Sequence, residues 1–402
     1  MRLLIVSSEF PPGPGGIGSH AFGLASNLIR LNWKVSVATS QDYANEDEIR
    51  SFNESQPFPI VRFKALPFAP FEALYRWRVL ARWTRVWKPD VLMATGDRAV
   101  LLTSAFARSR KIPCVAVGHG TEFSLPTGWE LALVRRAFTR AAAVACVSRY
   151  TRAQMIHAGV RPKYEVVIPN GADANLFEIL PESEVDRVRE GLGAVAGGHI
   201  LLTVGSVTHR KGQDTVIRAL PHILKRVNKV HYLIAGMPVR TTEFRQLARD
   251  LKVSEHVHFL GHLTSERIVQ LLNCCDLFVM TSKHTADGDF EGYGIAVIEA
   301  ALCGKPAVVS NCSGLAEAIS DGLTGLGVPE DDELATADAI VNLLEDRERR
   351  LAMGEAARLS AITQSTWERK AQEYDRLLRE VLQRTHAAVP KKFPEVAESA
   401  QS

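Results

Sequence analysis

Two doubly wound α/β domains in tandem, Rossmann-like and facing one another across a cleft, are the architecture this sequence predicts. Short apolar runs alternate with helix-periodic stretches along most of the chain, a pattern that requires crossover connections and hence parallel sheets. The alternation comes in two series, separated by the turn cluster PNGAD (169–173). At 402 residues the chain is also too long for one ordinary core and about right for two.

The first series opens with LLIVSSE (3–9), which ends at the Pro/Gly-rich loop PPGPGGIGSH (11–20). AFGLASNLIRL (21–31) carries helical periodicity, and KVSVATS (34–40) reads as a second strand. Residues 42–58 are polar and acidic and are expected to form a surface loop, after which IVRFKALPF (60–68) reads as a strand running into a loop. In FEALYRWRVLARWTRVWKPD (71–90), Trp77, Leu80, Trp83 and Trp87 fall near helical spacing, interleaved with Arg76, Arg78, Arg82, Arg85 and Lys88. Such a helix can lie on an anionic membrane surface with Trp and Arg at headgroup depth. The plainer alternative, a crossover helix packed on the sheet with a solvated basic face, is favoured.

Four more strand-like runs follow: PDVLMATGD (89–97), IPCVAVGHG (112–120), AAVACVS (142–148) and YEVVIPNG (164–171). The second series comprises HILLTVGSV (199–207), VHYLIAG (230–236), HVHFLG (256–261), DLFVMTS (276–282), PAVVSN (306–311) and TGLGV (324–328). Helical periodicity continues from about 333 to 386. The expected division is an N-terminal domain over 1–172 and a C-terminal domain over 173–370. A terminal helix over 371–386 could return to the first domain, and the tail 387–402 has a disordered composition.

With 46% hydrophobic and 23% charged residues, the composition is that of a soluble globular protein. No uninterrupted apolar run is long enough to span a bilayer, and MRLLIVSSEF reads as a first strand rather than a secretory signal. Six cysteines without Cys-x-x-Cys or nearby histidine spacing suggest neither a disulfide framework nor a zinc site. A reducing, cytoplasmic setting follows, with attachment at the inner face of the cell membrane an open option. Net charge is +3, yet residues 1–180 hold 22 Lys+Arg against 14 Asp+Glu. A basic first half suits an anionic partner. No helix-turn-helix, zinc-finger or RNP pattern supports nucleic acid.

Gly13, Gly15 and Gly18 satisfy G-x-G-x-x-G after the first strand, with Asp42 beyond the second. That fingerprint belongs to dinucleotide-binding oxidoreductases. Pro11, Pro12 and Pro14 make the loop longer and stiffer than the tight turn the motif requires, and the interval to Asp42 is long. Gly15 and Gly16 read better as a place where backbone approaches a ligand held mainly by the other domain.

That ligand's chemistry is written in DLFVMTSKHTADGDFEGYGIAVIEAALCGKP (276–306). A strand, a Gly-containing loop and a helix follow one another, with Glu291 just before the helix and Glu299 in its second turn. Amides of Gly294, Ile295 and Ala296 at a helix start form an anion site. One acid on either side can accept hydroxyl hydrogen bonds, so the segment suits a sugar joined to a diphosphate. The plainer alternative is a buried strand, a loop and an ordinary amphipathic helix. In TVGSVTHRKGQD (203–214), Arg210 and Lys211 stand just before a helix, where cations oppose the macrodipole unless an anion binds. His119, in GHGTEF, lies on a loop of the first half that would look toward this segment.

Together these motifs resemble the GT-B glycosyltransferases of family 4, a retaining group with a Glu-x7-Glu signature, here Glu291 to Glu299. The resemblance runs from FPPGPGGIGSH through GHGTEF, VSRYTRAQM, IPNGAD, THRKGQD and HFLGHL to DGDFEGYGIAVIEAALCGKPAVVSN. In FPP-x-x-GGI, RKGQD and D-x-EG-x-GI the chain is similar to the branch of GDP-mannose-dependent phosphatidylinositol-mannoside mannosyltransferases.

The resemblance implies that Arg210 and Lys211 bind the diphosphate and Glu299 the ribose. Glu291 would hold hydroxyls of the transferred sugar, near the amides of Gly294 and Ile295. His119 would sit on the sugar's other side, Gly16 would touch diphosphate or sugar, and Gly261 to Leu263 would border the base. The family often carries an Arg after the Gly that ends the first strand of this domain, where this chain has Ser206 after Gly205.

The expected reaction is retaining transfer of a hexose, mannose from GDP-mannose, to a glycan or lipid-linked acceptor in envelope or polysaccharide synthesis. A UDP-sugar donor is the alternative. No carboxylate cluster calls for a metal, so no metal and no cofactor beyond the nucleotide-sugar substrate are expected. Arg62 and Lys64 are candidate acceptor contacts. Readings from other classes are a nicotinamide oxidoreductase, a sugar-nucleotide epimerase and a non-catalytic, membrane-associated scaffold.

Overall fold

The structure, a computed structural model, describes residues 1–13, 15–40, 44–66 and 69–387. Two all-parallel sheets organise them. The first contains β1 (Arg2–Ser7), β2 (Lys34–Ser40), β3 (Ile60–Phe63), β4 (Val91–Thr95), β5 (Cys114–Gly118), β6 (Ala143–Cys146) and β7 (Glu165–Val167), in the order β3-β2-β1-β4-β5-β6-β7. The second contains β8 (His199–Val204), β9 (Val230–Ala235), β10 (Val257–Gly261), β11 (Leu277–Met280), β12 (Ala307–Ser310) and β13 (Gly325–Val328), in the order β10-β9-β8-β11-β12-β13. Both orders reverse beside their first strand, between β1 and β4 and between β8 and β11. At such switch points doubly wound sheets open a crevice at the strand C-termini.

The continuous apolar runs are explained by burial on both faces. Along β1, Leu3 and Ile5 pack with Leu24 and Leu28 of the helix Gly16–Leu28, while Leu4 and Val6 face Val100 and Phe106 on the other side. In the second sheet, Leu201 and Leu277 pack with Val216 and Ile340, whereas Leu202 and Phe278 face the opposite layer.

The chain crosses between the sheets at residues 168–172 and returns beside that crossing. Ala172 donates its amide to the Ser365 carbonyl at 2.9 Å, and Trp367 donates to the Ala172 carbonyl at 3.1 Å. At Gly171 a Cβ would lie 2.8 Å from the Thr366 carbonyl carbon, so only glycine lets the two strands of the crossing touch. Beyond it, the helix Trp367–Ala387 packs on the first domain. Its Tyr374 hydroxyl meets His20 Nε2 at 3.2 Å, and its Asp375 accepts from Trp33 Nε1 at 2.7 Å.

One reading changes, and at the Trp-Arg helix the favoured of two alternatives holds. Within 42–58 the expected loop is largely the helix Glu46–Glu54, because Asn45 and Glu48 form a capping box and Ile49 is buried. In the basic helix Ala69–Trp87, the tryptophans turn inward rather than outward. Trp77 meets Phe106 edge-on at 5.1 Å, and Trp83 Nε1 donates to Ser36 Oγ at 2.9 Å. Arg78, Arg82 and Arg85 remain exposed, and Arg76 is tied to Glu72 at 2.6 Å. Among the described residues no helix is long and apolar enough to cross a membrane. Pro14, Asp42 and the tail 388–402 lie outside the described residues.

Candidate active site

The loops after β8 and β11 are joined before any charge is placed. Gly212 adopts a left-handed φ of 69°, ending the turn His209–Lys211 and opening the helix Gln213–Ile223. A Cβ there would lie 1.8 Å from the Thr281 carbonyl oxygen. Thr281 Oγ1 donates to the Gly212 carbonyl at 2.8 Å, and the Lys283 amide donates to the Arg210 carbonyl, also at 2.8 Å. The backbone carrying the two cations is therefore held against the end of β11.

From that backbone, Arg210 Nη1 and Lys211 Nζ each reach Glu291 Oε2 at 2.6 Å. Arg210 Nε also meets Asp289 Oδ2 at 3.1 Å. Burial opposes the charge on Glu291, but Lys211 and Arg210 override it and hold the carboxyl at about 2. Glu291 in turn raises the Arg210 pKa, whereas burial lowers that of Lys211. Two cations and two carboxylates thus form a compact network, only part of whose positive charge is committed to any one acid. A ligand phosphate can share it.

Gly294, with φ 93°, is the N-cap of the helix Ile295–Leu302 and carries no side-chain cap; Val297 donates its amide to the Gly294 carbonyl at 3.1 Å, which leaves the amides of Ile295 and Ala296 for another acceptor. Glu299 lies in the second turn, half-buried; burial pushes its carboxyl up to about 7, with Lys211 acting against the shift. Behind Lys211, a Cβ at Gly205 would approach the lysine side chain at 3.4 Å. Ser206 uses its carbonyl to accept from Gln213 Nε2 at 3.0 Å.

The first domain supplies the opposite wall. His119 follows β5, its Nε2 2.7 Å from Thr95 Oγ1 at the end of β4, and its ring stands edge-on to His20 at 5.0 Å. Burial holds His119 down at about 4, so its imidazole is neutral near pH 7. Glu122 is 3% exposed and accepts from the amides of His119 and Gly120, the latter at 2.8 Å. It therefore clamps the loop from behind.

The two walls touch through glycines. A Cβ on Gly292 would lie 1.9 Å from the His119 carbonyl oxygen, and one on Gly120 would lie 2.7 Å from the Phe290 ring. His119 and the Glu291 loop therefore meet directly. Gly15 needs its φ of 141°, and a Cβ there would run into the Glu9 carboxylate; one on Gly16 would meet nothing within 4 Å. Gly16 thus starts its helix facing open space.

The remaining candidates lie farther out. Gly261 has φ 73° with open space around its Cβ position, and Leu263 is half-buried beside it. Arg62 is occupied: it donates to Asn53 at 3.0 Å and to the carbonyls of Phe10 and Pro11, so it braces the loop leading to Gly16. Lys64 is exposed. Three residues at the site escaped the sequence reading: Asp289, Glu122 and Thr95. Asp289 and Glu122 had local signals, lying two positions before Glu291 and three after His119, whereas Thr95 had none.

Paired cations with an uncapped helix start can neutralise a leaving diphosphate, and flanking acids can hold hydroxyls. Such an arrangement suits group transfer from a nucleotide sugar, and comparison with known proteins gives the family. Residues 14–176 match the Glycosyltransferase Family 4 model and residues 184–360 the model for glycosyl transferases group 1. HepE of Anabaena, solved with UDP and glucose, superposes with a TM-score of 0.82 at 23% identity, covering 94% of this chain and 100% of that one. Sucrose-phosphate synthase of Thermosynechococcus elongatus gives a TM-score of 0.79 at 20% identity, covering 95% and 99%. These likenesses define the GT-B fold.

Sequence narrows the class. A GDP-mannose-dependent alpha-(1-6)-phosphatidylinositol monomannoside mannosyltransferase of Mycolicibacterium smegmatis is 30% identical, over 94% of this chain and 98% of its own. A related monoacylated-substrate mannosyltransferase of Corynebacterium glutamicum is 27% identical over 91% and 95%. The chain belongs to the family 4 glycosyltransferases.

Proposed function

We propose that this glycosyltransferase moves mannose from GDP-mannose, with retention of configuration, onto a glycolipid or glycan acceptor. The observation that carries the reading is the convergence of Arg210 and Lys211 on Glu291, 2.6 Å each, beside the start of the helix Ile295–Leu302. When the anomeric C–O bond breaks, the departing diphosphate gains charge. Arg210, Lys211 and the helix start would offset it, so the transfer step is assigned no metal and no cofactor. Glu291 would then exchange a cation for sugar hydroxyls, and Glu299 would hold the ribose. His119, neutral at working pH, would hydrogen-bond the sugar from the other wall.

GDP-mannose is favoured by the relatives that share most of this chain's length. A UDP-hexose is the second reading, favoured by the fold likeness to HepE with UDP and glucose. The exposed Arg78, Arg82 and Arg85 suit an enzyme working at the cytoplasmic face of an anionic membrane.

Thermal-shift measurements with GDP-mannose, UDP-glucose, UDP-GlcNAc and NADH, on the wild type and Arg210→Ala, test the proposal. A ligand bound only by the native state raises Tm. GDP-mannose should do so in the wild type and lose most of the effect in Arg210→Ala. A shift from UDP-glucose alone moves the assignment to the second reading, and a shift from NADH alone overturns it.

A further inference from the structure

Three loops at the C-terminal edge of the second sheet bring a histidine, a cysteine and a glutamate together. His284 follows β11, Cys312 follows β12 and Glu330 follows β13, all three half-buried. One side-chain donor atom from each lies within 4.8 Å of the other two. His284 Nδ1 is 3.0 Å from Glu330 Oε2, and Cys312 Sγ is 3.6 Å from the Ser282 carbonyl. The other ring nitrogen, His284 Nε2, is 2.7 Å from the hydroxyl of Tyr150, which belongs to the helix Arg149–His157 of the first domain.

We propose that His284, Cys312 and Glu330 form a binding site for a thiophilic divalent cation of the Zn²⁺ type, placed at the seam between the domains. The donor set argues for it: imidazole nitrogen, thiolate sulfur and carboxylate oxygen are the ligands zinc takes, with a fourth position left for water. Charge argues the same way. One thiolate and one carboxylate neutralise a doubly charged ion, so a half-buried site would carry no net charge. Binding forms the S–metal bond as Cys312 gives its thiol proton to solvent.

The outer hydrogen bonds are already in place. With the ion on Nδ1, His284 carries its proton on Nε2 and donates it to the Tyr150 hydroxyl, the arrangement that orients metal-bound histidines. The second oxygen of Glu330 accepts the His284 amide, which turns the carboxylate toward the ring.

An ion here would serve position rather than the reacting bond. His284 lies on the loop that carries Asp289 and Glu291, and Thr285 donates its amide to the Asp289 carbonyl at 3.0 Å. Fixing His284 would therefore anchor that loop to β12 and β13. Through Tyr150 it would also hold the first domain against the second. Tyr150 already packs edge-on against Phe290 at 5.0 Å, and its amide is accepted by Glu317 at 2.8 Å.

The test is a titration of the full chain with Co²⁺ alone, followed by absorption spectroscopy. One ion per chain should bind with a near-ultraviolet sulfur-to-cobalt charge-transfer band, and added Zn²⁺ should displace it. Cys312→Ser should abolish the band. Tyr150→Phe should keep it while weakening affinity about tenfold or more. Glu330→Gln, read by loss of affinity at an unchanged circular-dichroism spectrum, serves should Cys312→Ser fail to fold. A wild type without the band, or an unchanged band in Cys312→Ser, overturns the proposal.

Discussion

Replacing Glu291 with alanine removes the acceptor that Arg210 and Lys211 share. The Glu291 side chain is 12% exposed, Lys211 15% and Arg210 28%, so water screens these charges only in part. Deleting one partner of a buried ion pair costs about 3–5 kcal/mol, chiefly through the charge left behind. Arg210 keeps Asp289 at 3.1 Å, which places the expected loss near the lower bound, ~3 kcal/mol. Urea denaturation measures it directly.

The same vacancy changes the response to nucleotide. In the wild type the diphosphate must share cations with Glu291; in the variant it supplies the missing negative charge. GDP should therefore stabilise Glu291→Ala more than the wild type, while transfer falls on the order of 10²–10³-fold, as when one preorganised polar contact is lost. The acid limb changes too. Because the folded carboxyl is held at about 2, its contribution is present above its ordinary value of 4.5 and lost as pH falls through 2. The variant should lose that dependence. Near-normal turnover, or GDP stabilisation that disappears along with Glu291, would refute the reasoning.

Glu122 and the basic helix yield two further expectations. Burial raises the Glu122 carboxyl to about 7, so its contribution to stability is full below 4.5 and lost as pH rises through 7. Glu122→Gln should flatten stability between those values and, by loosening the His119 loop, lower kcat by up to about 10²-fold with donor KM little changed. Parallel wild-type and variant pH curves would count against the clamp. Trp83→Ala should cost ~3 kcal/mol through lost packing, with little effect on flotation with anionic vesicles. Changing Arg78, Arg82 and Arg85 to Ser should do the reverse. At about 1 kcal/mol per arginine near the surface, vesicle affinity should drop on the order of 10²-fold, with Tm nearly unchanged. Vesicle binding that follows Trp83 instead would reassign the surface.

Much of the architecture was legible because its signals are local. Strands buried on both faces must read as continuous apolar runs, and a parallel sheet must alternate them with helices, so β1 to β13 were each visible as a segment. The Glu291–Glu299 spacing, the Arg210–Lys211 pair and the Gly292–Tyr293–Gly294 turn were legible for the same reason: one loop and one helix start carry them. The loop expected over 42–58 failed for want of apolar periodicity, although Asn45 and Glu48 spelled a capping box that was there to be read.

What the chain alone determined, then, is the chemistry available at each strand end: cations after β8, acids after β11, a histidine after β5. Which of these meet was decided by packing. Side-chain pairs far apart in the chain have no periodicity to announce them, and their contacts exist only once both sheets and the crossing at Ala172 and Thr366 are built. Thr95 against His119, Tyr150 against His284, and the assembly of His284, Cys312 and Glu330 from three separate loops are all of this kind. The Trp-Arg helix makes the point most simply. Its sequence allows an inward or an outward tryptophan face, the inward one favoured only because a crossover helix is needed there, and the buried Leu80, the Ser36 hydroxyl and the ring of Phe106 turned that face inward.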